Sequence, residues 1–159
     1  MDDIAKKLNI TKAALYYHFK GKEEIYRKVL DEVFIDLSLQ IKEALKETSV
    51  EKKLKKLIKN YLDFGYTEAN LIKALLVKLS PANPYIKDHI IELRERISDL
   101  IQPVIEEMIR YKKISQKMDS KLLTSLVTGM MDGLLLEYSF LNKKINSESV
   151  SNQIIAVLF

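Results

Sequence analysis

The chain begins with two short runs in which apolar and polar positions recur with a helical period. From Asp3 to Leu8, Ile4, Ala5 and Leu8 fall at i, i+1 and i+4, leaving Lys6 and Lys7 on the other side. Asn9 suits a helix C-terminus, Ile10 is placed to plug the corner, and Thr11 can accept an amide N–H as the N-cap of the next helix. From Lys12 onward, Leu15 and Phe19 recur at i and i+4. They are expected to pack on Ile4 and Leu8, which turns Lys12, Ala13, Tyr16 and Tyr17 outward. Gly21 then opens a third helix with Glu24 in its first turn, where the helix dipole favours a carboxylate, and Lys22 stays close to the outward face.

Longer amphipathic segments follow. Ile25, Val29, Val33 and Leu37 form one stripe, with Leu30, Phe34, Ile41 and Leu45 beside it. Thr48 and Glu51 have capping-box spacing and start a helix carrying Leu54, Leu57, Ile58, Tyr61 and Leu62, with Asn70 at its end. Leu71 to Leu79 predicts a short apolar helix, and the run from Ser80 to Pro84 a loop. Pro84 suits the first position of the next helix, which extends to about Tyr111 and is predicted to kink at Pro103, where the hydrogen bond to Asp99 is lost. Two last helices, from Asp119 to Leu141 and from Ser147 to the end, read as unusually apolar. The first is apolar over more than one narrow face, so Leu122, Leu126, Met130 and Leu134 are expected to meet a second subunit. Gly129 and Gly133 at i and i+4 would permit close approach there.

Four glycines, three prolines and this periodicity predict an all-α fold. The absence of cysteine removes disulfides, thiol nucleophiles and thiolate metal sites, and together with the lack of a signal peptide predicts a cytoplasmic protein. Leu122 to Leu141 approaches the length of a membrane span, but Asp132 at its centre and Glu137 near its end favour a buried helix of a water-soluble protein. There is no Gly-rich phosphate loop and no HExxH, and the two histidines are far apart, so no enzyme, cofactor or metal site is predicted. The formal net charge is +4, and residues 1–28 hold seven basic against four acidic side chains. Such a local excess suits phosphate binding, although the lysine-rich run from Lys52 to Lys59 shows that lysine is abundant elsewhere too.

Residues 3–22 closely resemble the helix-turn-helix signature of the TetR family of transcriptional regulators. Asp3, Ile4 and Ala5 stand at its D-I-A step, Ile10 and Thr11 at its apolar and hydroxyl corner, Leu15 to Phe19 at its L-Y-x-x-F, and Lys22 at the lysine opening the next helix. The resemblance implies base reading by Lys12, Ala13 and Tyr17, and groove-wall or phosphate contacts by Thr11, Ala14, Tyr16, His18 and Lys22. Independently of the family, a helix that enters the major groove N-terminus first offers its early side chains to base edges, and lysine, hydroxyl and phenol groups donate to phosphate.

The resemblance further implies a helix-turn-helix head over residues 1–28 and a ligand-binding and dimerisation body over 29–159. The last two helices would form a dimeric four-helix bundle, and a ligand cavity would lie beside the kinked helix. Tyr61, Phe64, Leu75, His89, Met108, Tyr111 and Met130 are its candidate lining, because methionine and aromatic side chains make adaptable apolar walls. The effector would be largely apolar, or a lipophilic cation if a carboxylate lines the cavity. The implied function is a ligand-responsive repressor acting as a homodimer on a palindromic double-stranded DNA operator. The family's head normally begins with one further helix than this chain shows, so a helical ligand-binding or interaction protein that no longer binds DNA is the alternative.

Overall fold

The computed structural model describes residues 1–7, 9–68, 84–111 and 119–158. Among them there is no strand, and the fold is all-α. The helices are α1 (Asp2–Lys7), α2 (Lys12–His18), α3 (Lys22–Ala44), α4 (Val50–Thr67), α5 (Pro84–Tyr111), α6 (Ser120–Phe140) and α7 (Ser147–Leu158).

In α4, Leu54, Leu57, Ile58 and Leu62 are fully buried along one face, the i, i+3, i+4, i+8 spacing of a core-facing helix. That face makes α4 the hub of the body, packed against α3, α5, α6 and α7. Ile41 and Ala44 of α3, Ile101, Val104, Ile105 and Met108 of α5, and Val127, Met131 and Leu135 of α6 complete the core. Each such valine, leucine, isoleucine or methionine side chain contributes roughly 1.5–3 kcal/mol when taken out of water. A smaller cluster, Leu30 with Ile86 and Leu93, joins α3 to the first half of α5. In α3 the inward stripe is that of Leu30, Phe34 and Ile41, while Val29 is exposed.

Local chemistry sets the helix ends. Asn9 has a φ of 53°, and the Asn9 and Ile10 amides donate to the Lys6 and Ala5 carbonyls, closing α1 in a Schellman turn. Asn142, with a φ of 50°, ends α6 in the same way: the amides of Asn142 and Lys143 donate to the carbonyls of Ser139 and Tyr138. Backbone bonds thus hold the first corner, and Ile10, expected to plug it, stands 41% exposed.

The α4 cap is Ser49 rather than Thr48. Its hydroxyl accepts from the Lys52 amide, which lies three residues on, as capping geometry requires. α4 closes at Thr67, so Asn70, the expected helix at 71–79 and the loop before Pro84 lie outside the described residues, as does Leu8. α5 runs through Pro103 as a single helical element with the proline exposed. No helix among the described residues is long and apolar enough to cross a membrane.

Candidate functional site

The head is organised around α2. Thr11 Oγ1 accepts from the Ala14 amide at 3.0 Å, fixing the start of the helix as its spacing predicted. Leu15 is the buried residue of α2, and Ala5 of α1 is buried as well. Of the eight residues expected to meet DNA, Thr11, Lys12, Ala13, Tyr16, Tyr17, His18 and Lys22 are exposed and Ala14 is half-buried. Tyr17 is 86% exposed, too much for a core role, and its ring meets that of His18 edge-on at 5.2 Å. At the α2–α3 turn the Lys20 amide donates to Glu24 Oε2 at 2.6 Å, so the first-turn carboxylate of α3 anchors the turn.

Lys12 is not unpartnered, because Asp2 on α1 takes its ammonium. That hydrogen bond and the accompanying charge hold the Asp2 carboxyl below its ordinary range and push the Lys12 ammonium up.

A cavity of about 150 Å³ lies in the body. Leu30, Val33, Phe34 and Leu37 of α3 form one wall, and Ile90, Leu93, Arg94, Ile97 and Ser98 of α5 the opposite one. Tyr61 of α4 and Thr128 of α6 close it. The Arg96 guanidinium lies over the Phe34 ring, 4.2 Å from its centroid. Beside the cavity, Tyr61 donates its hydroxyl to Asp132 Oδ1 at 2.6 Å, and Arg94 Nη1 stands 2.6 Å from Asp132 Oδ2. Enclosure of the Tyr61 hydroxyl pushes its pKa far above that of a free tyrosine, and the Asp132 charge and hydrogen bond push it further, partly offset by Arg94.

This is not the lining the sequence suggested. Tyr61 does line the cavity. Met108 is sealed in the main core, Tyr111 is 67% exposed, and Met130 is 39% exposed on the outer face of α6. Phe64 is half-buried outside the lining, and Leu75 lies outside the described residues. His89 is buried but turned to α3, where Nε2 donates to Asp31 Oδ1 at 2.9 Å. The physical reason is position along α5: the cavity sits against residues 90–98, N-terminal to Pro103, where α3 and α5 face each other. Nor does a carboxylate line it among the described residues, so the condition attached to a cationic ligand is not met.

The outer face of α6 is a third feature. Leu122 and Leu126 are 59% and 60% exposed, and Met130 stands beside them. A Cβ added at Gly129 or Gly133 would meet nothing within 4 Å. Leu134, expected on the same seam, is half-buried against the main core instead. α7 contributes less apolar surface than its composition suggested. Its Val150, Ile154 and Ile155 pack on the core, and Glu148, Asn152 and Gln153 remain outside.

Two family descriptions fit the chain. "Bacterial regulatory proteins, tetR family" matches residues 1–29, and "YsiA-like protein, C-terminal region", the corresponding C-terminal region, matches 27–159. The chain belongs to the TetR family of transcriptional regulators. TetR-family proteins and the relatives of this chain are regulators rather than enzymes. One relative is the biofilm operon icaADBC HTH-type negative transcriptional regulator IcaR of Staphylococcus epidermidis, 36% identical over 118 residues. That alignment takes in 70% of this chain and 57% of the relative, a little over half of its length. IcaR of Staphylococcus aureus is 61% identical over 28 residues, 18% of this chain and 15% of the relative.

Among solved TetR-like structures, Bacillus subtilis FadR in complex with stearoyl-CoA superposes with a TM-score of 0.85 at 20% identity, covering 99% of this chain and 85% of that one. A candidate fatty acid metabolism regulator from Clostridium perfringens gives 0.78 at 27% identity, with 99% and 85% covered.

Proposed function

We propose that this TetR-family chain acts as a homodimeric, ligand-responsive repressor on a palindromic operator. Residues 1–28 would bind DNA, and residues 29–159 would bind the effector and pair the subunits. One observation carries the reading: α2 buries Leu15 and displays Lys12, Tyr16 and Tyr17 on a basic head that otherwise has no use for two exposed phenols. Lys12, Ala13 and Tyr17 would read base edges, and Thr11, Ala14, Tyr16, His18 and Lys22 would meet the groove walls and phosphates.

The outer stripe of α6 supports pairing, because an apolar row with two glycines open to close approach matches a helix seam. The chain's likeness to the S. epidermidis negative regulator supports repression. The cavity between α3 and α5 supports a small-molecule effector with a mostly apolar body. Two-fold pairing would set two copies of α2 against successive major grooves, and an effector would work by changing their separation.

The test is fluorescence anisotropy with duplexes selected from a random library by the protein, combined with sedimentation. Enrichment of an inverted repeat bound by a dimer is expected. Recovery of no enriched sequence, or saturation by a monomer, would sink the proposal.

A further inference from the structure

Among the described residues, Arg94 is the side chain with a formal charge that lines the cavity, and its guanidinium is already held in place. Nη1 is 2.6 Å from Asp132 Oδ2, and the other Asp132 oxygen accepts the Tyr61 hydroxyl at 2.6 Å. Three helices, α4, α5 and α6, therefore meet in one Tyr61–Asp132–Arg94 chain at the edge of an apolar space. A guanidinium carries five N–H donors in a planar fork. Asp132 meets it at Nη1 alone, as an ion pair rather than an aligned hydrogen bond, and no other acceptor meets Arg94 among the described residues. With 58% of its side chain exposed, Arg94 reaches from the cavity wall to water.

We propose that this site takes a short apolar carboxylate, whose hydrocarbon body fills the cavity and whose two oxygens bind the remaining donors of Arg94. Asp132 and Tyr61 are positioning residues that hold the guanidinium for it. This rests on the effector reading above and deepens it by naming the ligand class.

Three considerations select that class. The facing walls are aliphatic, with Leu30, Val33 and Leu37 opposite Ile90, Leu93 and Ile97, so a hydrocarbon gains by entering. A space near 150 Å³ is the size of an engineered apolar cavity that takes benzene, so the body is on the order of six to eight carbons. The charge of Arg94 is shared with Asp132 close by, so a monoanion is accommodated where a phosphate dianion would meet the Asp132 carboxylate with twice the repulsion. A planar carboxylate also matches the fork bidentately. Asp132 lies on α6 between Met131 and Gly133, so a ligand that draws on Arg94 acts directly on the helix that bears the outer apolar stripe.

Calorimetric titration of the protein with octanoate, 1-octanol and octylamine tests this. Octanoate is expected to bind about tenfold or more tighter than octanol, the worth of a charge-assisted hydrogen bond, with octylamine weakest. Arg94→Met alone strands the Asp132 carboxylate, so the decisive variant is Arg94→Met with Asp132→Asn, which removes both charges together. It should lose the preference for octanoate over octanol. Tyr61→Phe, which releases one Asp132 oxygen to compete for Arg94, should lower the octanoate-to-octanol ratio.

If octanol binds the unaltered protein as tightly as octanoate, or if the preference survives in the double variant, the carboxylate inference is overturned while a small-molecule effector stands. If none of the three probes binds, the effector reading falls with it.

Discussion

Lys12 Nζ lies 3.0 and 3.1 Å from the two carboxylate oxygens of Asp2. The lysine proposed to read base edges thus carries a counter-anion from the neighbouring helix. Asp2→Asn should free the Lys12 ammonium for a base edge and raise affinity for the selected operator more than for random duplex. Because both side chains are exposed, the melting temperature should not move. Unchanged DNA affinity in Asp2→Asn would show that the pair does not restrain Lys12.

Tyr17 and Lys22 should separate base reading from phosphate binding. Tyr17→Ala is expected to lower discrimination between the selected operator and random duplex by about 1–3 kcal/mol. Lys22→Ala should weaken both equally and reduce the salt slope by about one unit. Anisotropy titrations at several salt concentrations distinguish the two patterns.

The α6 stripe predicts assembly. Leu126→Glu, at a position 60% exposed in the single chain, should leave folding intact and shift sedimentation toward the 18.4 kDa monomer. Gly133→Leu should do the same, because nothing in its own subunit stands within 4 Å of a Cβ added there. A dimer that persists in both variants would place the seam elsewhere.

Gly65 marks a close approach of the opposite kind. A Cβ there would collide with the Leu135 side chain, so Gly65→Ala should cost about 1–3 kcal/mol as overpacking. Leu135→Ala should recover part of that loss when the two are combined. Urea denaturation of the two single variants and the pair measures the coupling.

Tyr61 gives a pH prediction. Burial, then the Asp132 charge and hydrogen bond, raise its folded pKa above the unfolded value of about 10, so its contribution to stability is fully present below that pH and is lost as pH rises above it. Thermal melts above pH 10 should fall less steeply for Tyr61→Phe than for the unaltered chain. Parallel curves would mean that the hydroxyl is not protected from titration.

What was legible in the sequence was mostly local. Thr11 as a cap, Asn9 as a helix end, Leu15 inward and Tyr17 outward all follow from interactions spanning four or five residues, and the structure has them so. The cavity depends on how α3 meets α5, two helices far apart in sequence, and periodicity along either one does not say where their apolar faces leave space. Met108 and Tyr111 therefore looked as suitable for the lining as Leu93 or Ile97. One signal could have been followed further. An aspartate at the centre of the most apolar helix needs a partner when buried, and Asp132 has two, Tyr61 and Arg94. Both line the cavity.

α3 spans 23 residues without a break, from Lys22 beside α2 to Ala44 in the main core. At about 1.5 Å per residue it is a rod some 30 Å or more in length. Leu30, Val33, Phe34 and Leu37, which wall the cavity, lie along its middle. No hinge separates the part that lines the cavity from the part that follows the Gly21 turn. A widening between α3 and α5 would therefore be carried along α3 as a change of angle at the Gly21 turn, the far end of a lever.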